Sequence, residues 1–86
     1  MNILVSNLSI NIIDADLRRL FNLYGEVEFV SIARDKNNGR SMGNAVIEMP
    51  LYKQGTQAII SLDNTVLDGK RISVSEINYR PGKSIN

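Results

Sequence analysis

The stretch Met42-Gly43-Asn44-Ala45-Val46-Ile47-Glu48-Met49 decides the fold. From Gly43 to Met49 its side chains alternate. Ala45, Ile47 and Met49 share one face, and Asn44, Val46 and Glu48 share the other. A strand with one apolar and one mixed face suits an antiparallel sheet buried on one side only.

Upstream, Asp35-Lys36-Asn37-Asn38-Gly39 is dense turn chemistry, and Asn-Gly is a strong hairpin signal. Before it, Val27 to Arg34 is rich in β-branched and aromatic residues and predicts a second strand. There Val30 and Ile32 point one way, and Phe29, Ser31 and Ala33 the other. Further back, Leu17, Leu20, Phe21 and Tyr24 recur at helical spacing. They predict a helix from about Ile13 to Leu23, opened by Asn11 with Asp14 behind it and stopped at Gly25. Asn2 to Ser6 alternates again and predicts the first strand.

Downstream, Pro50 is placed to open a second helix with Ala58, Ile59 and Leu62 as its apolar stripe. Gly55 inside that helix costs about 1 kcal/mol relative to alanine, unless it lets the helix approach the sheet closely. Asp63-Asn64 ends the helix, Val66-Leu67-Asp68-Gly69 reads as a turn, and Lys70 to Ile77 as the last strand, with Ile72 and Val74 inward. The order is βαββαβ, an α+β ferredoxin-like arrangement. It implies one four-stranded antiparallel sheet with two helices on one face and the other face open. The domain spans residues 1–78, and 79–86 reads as a tail.

Bulk properties narrow the function. The chain has 86 residues, enough for one domain with a thin core. With 43% hydrophobic and 22% charged residues, its composition is that of a globular protein. It contains no cysteine and no histidine, which removes disulfides, thiolate chemistry and the usual general base at neutral pH. The carboxylates form no recognisable catalytic pair, and no phosphate-binding or dinucleotide fingerprint occurs. An enzyme is not expected, nor are a cofactor, a metal or a small-molecule substrate. No apolar run approaches the roughly 20 residues needed to span a bilayer. Met1-Asn2-Ile3-Leu4-Val5 has no basic lead and reads as the start of a cytoplasmic protein. The net charge of +1 is too small to argue for nucleic acid by itself. Its distribution says more, because basic residues cluster at Arg34, Lys36 and Arg40, at Lys70 and Arg71, and at Arg80 and Lys83.

The first and third strands carry two short motifs, Ile3-Leu4-Val5-Ser6-Asn7-Leu8 and the octapeptide Met42 to Met49. Between and after them come Asp16-Leu17-Arg18-Arg19-Leu20-Phe21, Tyr24-Gly25-Glu26-Val27, Gly39-Arg40-Ser41 and Leu67-Asp68-Gly69-Lys70-Arg71-Ile72. In this order and spacing the chain resembles the RNA recognition motif family, in its short single-domain bacterial form, from about Asn2 to Ile77. The resemblance implies binding of single-stranded RNA on the open sheet face, with bases stacked on aromatic side chains and phosphates held by a basic rim. It places the stacking platform at Leu4, Asn44 and Val46. None of the three is aromatic, and Met42 stands where the octapeptide usually opens on a basic residue.

Strand alternation puts Phe29 on the same face as Leu4 and Val46. Three readings stay open for these apolar side chains: a contact with another protein or a second copy, a substitute stacking platform led by Phe29, or scattered surface apolar residues. Arg34, Lys36, Arg40, Arg71 and Arg80 read either as solvated positions or as phosphate contacts of the rim, with Tyr79 as a further stacking candidate. The leading expectation is a non-catalytic RNA-binding module whose affinity is weak and steeply salt-dependent. The alternative is a protein-interaction or self-association module using the same face.

Overall fold

In the computed structural model, which describes residues 1–78, the alternating stretch is the central strand on which the sheet is built. The elements run β1 (Asn2–Ser6), α1 (Asp14–Asn22), β2 (Phe29–Arg34), β3 (Ser41–Glu48), α2 (Tyr52–Leu62), β4 (Val66–Leu67), β5 (Lys70–Arg71) and β6 (Ser73–Ile77). The main sheet has the order β2-β3-β1-β6, antiparallel throughout. A separate two-stranded hairpin joins β4 to β5. The expected βαββαβ sandwich is therefore present.

Burial follows the two-residue period. Ile3 and Val5 of β1, Ile32 of β2, Ala45 and Ile47 of β3, and Val74 of β6 all face inward and are buried. They meet Leu17 and Phe21 of α1 and Ala58 and Leu62 of α2 in one apolar cluster. Both helices thus cover the same side of the sheet, and among the described residues no layer lies over the other side.

Helix α1 begins at Asp14, later than an Asn11 start. Its first turn is organised by Asp16, whose carboxylate accepts the Ile13 backbone N–H at 3.0 Å and pairs with Arg19 at 2.9 Å. Two acids near the positive end of the helix suit its dipole. Asn11 is engaged elsewhere, donating its side-chain amide to Asp68 at 3.2 Å. Hydrogen bonds from Ser9 and Asn11 hold the Asp68 carboxyl below its ordinary pKa. The β1–α1 loop is thereby tied to the β4–β5 hairpin.

Gly25 follows the helix with φ 153°. The Gln54 side chain of α2 occupies the place where a Cβ would stand, and its Oε1 accepts the Glu26 N–H at 2.8 Å. Changing Gly25 to alanine is expected to cost about 1–2 kcal/mol, from the lost hydrogen bond and an unfavourable backbone angle. Urea unfolding of the variant checks this.

Gly55 is buried, and a Cβ there would run into the Met1 side chain. The close approach of helix to sheet offsets its poor helix propensity. Helix α2 starts at Tyr52, with Pro50 just ahead of it.

Two loops differ from their sequence reading. The β2–β3 turn is organised by Asp35 rather than by a two-residue Asn-Gly turn. Its carboxylate accepts the Asn37 and Asn38 N–H groups at 2.7 and 3.3 Å, and its carbonyl accepts the Gly39 N–H at 2.9 Å. Val66 to Gly69 is half of a hairpin, with positive φ at Asp68 (50°) and Gly69 (81°) as tight two-residue connections require. The expected single strand from Lys70 to Ile77 is broken at Ile72, whose N–H bonds Thr65 O at 2.8 Å. The chain then passes into β6. There Asp63, at the end of α2, accepts the Val74 N–H at 2.8 Å.

Candidate nucleic-acid interface

The registers lay out the open face as a grid. Leu4 stands opposite Val46 on one side and Ser75 on the other. Val46 stands opposite Ser31 of β2. One row further, Phe29 faces Glu48, Glu48 faces Asn2, and Asn2 faces Ile77. In the opposite direction Asn44 faces Ser6, and Ser6 faces Ser73.

Leu4, Asn44 and Val46 are half-buried, as expected for side chains shielded by neighbours on an uncovered sheet. Phe29 is 43% exposed and lies on this face, not in the core. It is the diagonal neighbour of Val46, within reach of a ring across roughly 7–8 Å. Phe29, Val46 and Leu4 therefore form a short diagonal band. Ser31, Ser75, Glu48 and Asn2 interleave with it, so the apolar surface is not continuous.

The ends of the sheet differ in charge. β1 ends, β3 and β6 begin, and β2 ends on the same side, because Ser6 pairs with Asn44 and Ser73 and Arg34 pairs with Ser41. Arg34, Lys36 and Arg40 lie at this end on the β2–β3 connection, and all three are exposed. Arg34 also donates to Gly39 O at 3.2 Å. Arg71 lies at the same end, two residues before the edge strand β6, across a sheet roughly 14 Å wide. Its guanidinium donates to Asn64 O at 2.7 Å, and its carbonyl accepts from Asn7 at 2.8 Å, so part of Arg71 serves the hairpin. Arg80, Tyr79 and Lys83 lie outside the described residues. The opposite end carries Glu28, whose N–H donates to Glu48 O at 2.8 Å, and Glu48 opposite Phe29, with Arg18 reaching Val27 O from α1 at 2.9 Å.

Between β2 and β3 the pairing jumps from Ile32 opposite Ala45 to Arg34 opposite Ser41, so β3 carries extra residues there. Gly43, at φ 86°, sits in this bulge, and its carbonyl accepts the Leu8 N–H at 2.8 Å. The bulge sets where the loop basic residues stand relative to Asn44. Strand alternation puts Glu48 on this face but does not mark it as a binding residue. Its adjacency to Phe29 depends on register, which has no local signal.

Among the described residues no three metal-ligating side chains converge, and no helix is long and apolar enough to cross a membrane. A concavity lies away from the sheet face, between α1 and the hairpin, lined by apolar Ile12, Leu20, Leu23 and Leu67 and by polar Asn11, Asp16, Arg19 and Asp68.

A family model described as RNA recognition motif matches residues 3–73. The putative RNA-binding protein RbpD of Nostoc sp. is 38% identical over 80 residues, covering 93% of this chain and 85% of that protein. A crystal structure of the RNA binding protein PG1 superposes with a TM-score of 0.92 at 33% identity, covering 94% of this chain and 98% of the other. A structure of the Sex-lethal protein in complex with RNA superposes with a TM-score of 0.82 at 33% identity, covering 86% of this chain and 46% of that one. The chain spans 44% of the length of glycine-rich RNA-binding protein 1 of Mycosarcoma maydis and 22% of that of the chloroplastic 29 kDa ribonucleoprotein of Arabidopsis thaliana. Motif order, sheet order and these matches agree over nearly the whole described domain: the chain belongs to the RNA recognition motif family.

Proposed function

We propose that this chain binds single-stranded RNA on its open sheet face, as a non-catalytic module acting in the cytoplasm. Residues 1–78 are the binding domain, and 79–86 a tail that adds Arg80 to the rim. The observation that carries this reading is the position of Phe29. An aromatic ring is exposed on the open face although the three positions that the family uses for stacking hold Leu4, Asn44 and Val46. The platform is thus shifted to β2, with Leu4 and Val46 as apolar support. Arg34, Lys36 and Arg40 supply phosphate contacts at one end, with Arg71 contributing less because its guanidinium is already engaged.

The interleaved Ser31, Ser75 and Glu48 weigh against a protein partner on this face, because a stable interface core is depleted of charged groups. Extended RNA suits such a mixed surface, since bases bring both π-faces and hydrogen-bonding edges.

Titrating labelled protein with random single-stranded RNA at low salt tests the reading. Amide shifts are expected at Leu4, Phe29, Asn44, Val46 and Arg40, and silence across the sheet overturns it. Phe29→Ala is expected to weaken binding about 5- to 150-fold, corresponding to one lost stacking contact. Fluorescence anisotropy measures the change.

A further inference from the structure

We propose that Phe29 and Glu48 together form a guanine-selective base site; this rests on the RNA-binding reading and adds the identity of the base. The two residues are direct cross-strand partners on the open face. Side chains in that relation stand with Cβ atoms roughly 4.5–5.5 Å apart. Phe29 offers an exposed ring, and Glu48 stands half-buried beside it on the same face, so its carboxylate can reach the edge of a base that covers the ring. Among the described residues no cation pairs with Glu48; the ion pair they contain is Asp16–Arg19.

A carboxylate is a poor neighbour for a phosphate. The loop cations Arg34, Lys36 and Arg40 lie at the other end of the sheet, roughly 14 Å away along β3 from Glu48 to Asn44, and Arg18, at Glu48's end, is engaged with Val27 O at 2.9 Å. Glu48 is therefore placed to meet a base rather than the backbone. It accepts hydrogen bonds through two oxygens and donates none.

Only one base edge is complementary to that. On its Watson–Crick edge guanine presents two adjacent donors, N1–H and the N2 amino group. Adenine presents one donor beside one acceptor, and cytosine one donor beside two acceptors. Uracil presents one donor between two acceptors. A carboxylate takes both guanine donors in a bidentate, charge-assisted pair, whereas every other base sets a lone pair against one of its oxygens. Guanine also has a large purine face for the Phe29 ring. A base stacked there projects its edge toward β3, the neighbouring strand roughly 4.8 Å away.

The test uses short oligouridines carrying one central guanine, inosine, adenine or uracil, with binding followed by fluorescence anisotropy on the intact chain. Guanine is expected to bind about 5- to 150-fold tighter than adenine, in the range of one bidentate base contact. Inosine, which lacks the N2 amino group, falls between them. In Glu48→Gln the side chain presents one donor and one acceptor, a pattern that every base edge can meet, so the preference for guanine over adenine is expected to be lost. Equal affinity for all four RNAs in the wild-type chain overturns the guanine site while leaving RNA binding intact. A guanine preference unchanged in Glu48→Gln, with the variant's amide spectrum still that of the folded domain, overturns the role of Glu48. No binding to any of them overturns both readings together.

Discussion

Replacing Phe21 with alanine is expected to destabilise the domain by about 3–5 kcal/mol. The ring is fully buried on α1, in the one cluster that joins both helices to the sheet. Its removal costs the transfer of a large apolar group and leaves a cavity that a sheet on one side and a second helix on the other cannot readily collapse. Domains of this kind have a total stability of about 5–15 kcal/mol, and a small one lies toward the low end. The variant is therefore expected to be partly unfolded at 37 °C, with its thermal midpoint lowered by roughly 12–40 °C at about 4–8 °C per kcal/mol. Circular dichroism during heating measures this. Phe29→Ala is the matching control. That ring is 43% exposed and lies outside the core cluster, so its loss is expected to leave the melt within about 1 kcal/mol of the parent. The two phenylalanines thus separate core from platform in a single pair of experiments.

The second large effect concerns charge. Changing Arg34, Lys36 and Arg40 together to glutamine removes three exposed cations from one connection. Each phosphate contact to a single strand contributes about 0.7 to the slope of log affinity against log salt. The triple variant is expected to lose about 2 units of that slope, and about 100-fold in affinity near 0.1 M salt. Anisotropy titrations across a salt series read both numbers, and an unchanged slope excludes this loop from the phosphate path. Arg71→Gln is expected to do less to the slope and more to the hairpin, because the guanidinium holds Asn64 O.

Much of the fold was legible because it depends on period and punctuation. Alternation in Asn44 to Met49 and in Asn2 to Ser6 assigned faces correctly, and Leu17 and Phe21 marked the buried side of α1. The open face could be listed residue by residue from the same rule. What failed locally was decided by distant partners. Asn11 is a good helix opener by type, yet its amide goes to Asp68, so Asp16 organises the turn instead. Lys70 to Ile77 reads as one strand, but its backbone changes partner at Ile72, from the hairpin to β1. For the site, residue types and faces were visible, whereas neighbours were not. Phe29 meets Glu48 only through the β2–β3 register. Arg34 and Arg71 come to one end of the sheet through topology, with the width of the sheet between them.

The two edges of the sheet are finished differently. A strand arriving beside β6 would have to displace the Asp63 carboxylate from the Val74 amide. One arriving beside β2 meets the run Phe29-Val30-Ser31-Ile32-Ala33, with neither lysine nor proline to turn it away and a partner strand on one side only. As a building part the domain is consequently directional. A designed peptide strand or an adjoining domain can lengthen the sheet from the β2 side, and a lysine placed at Ser31 would be the economical way to close that side when the protein is concentrated.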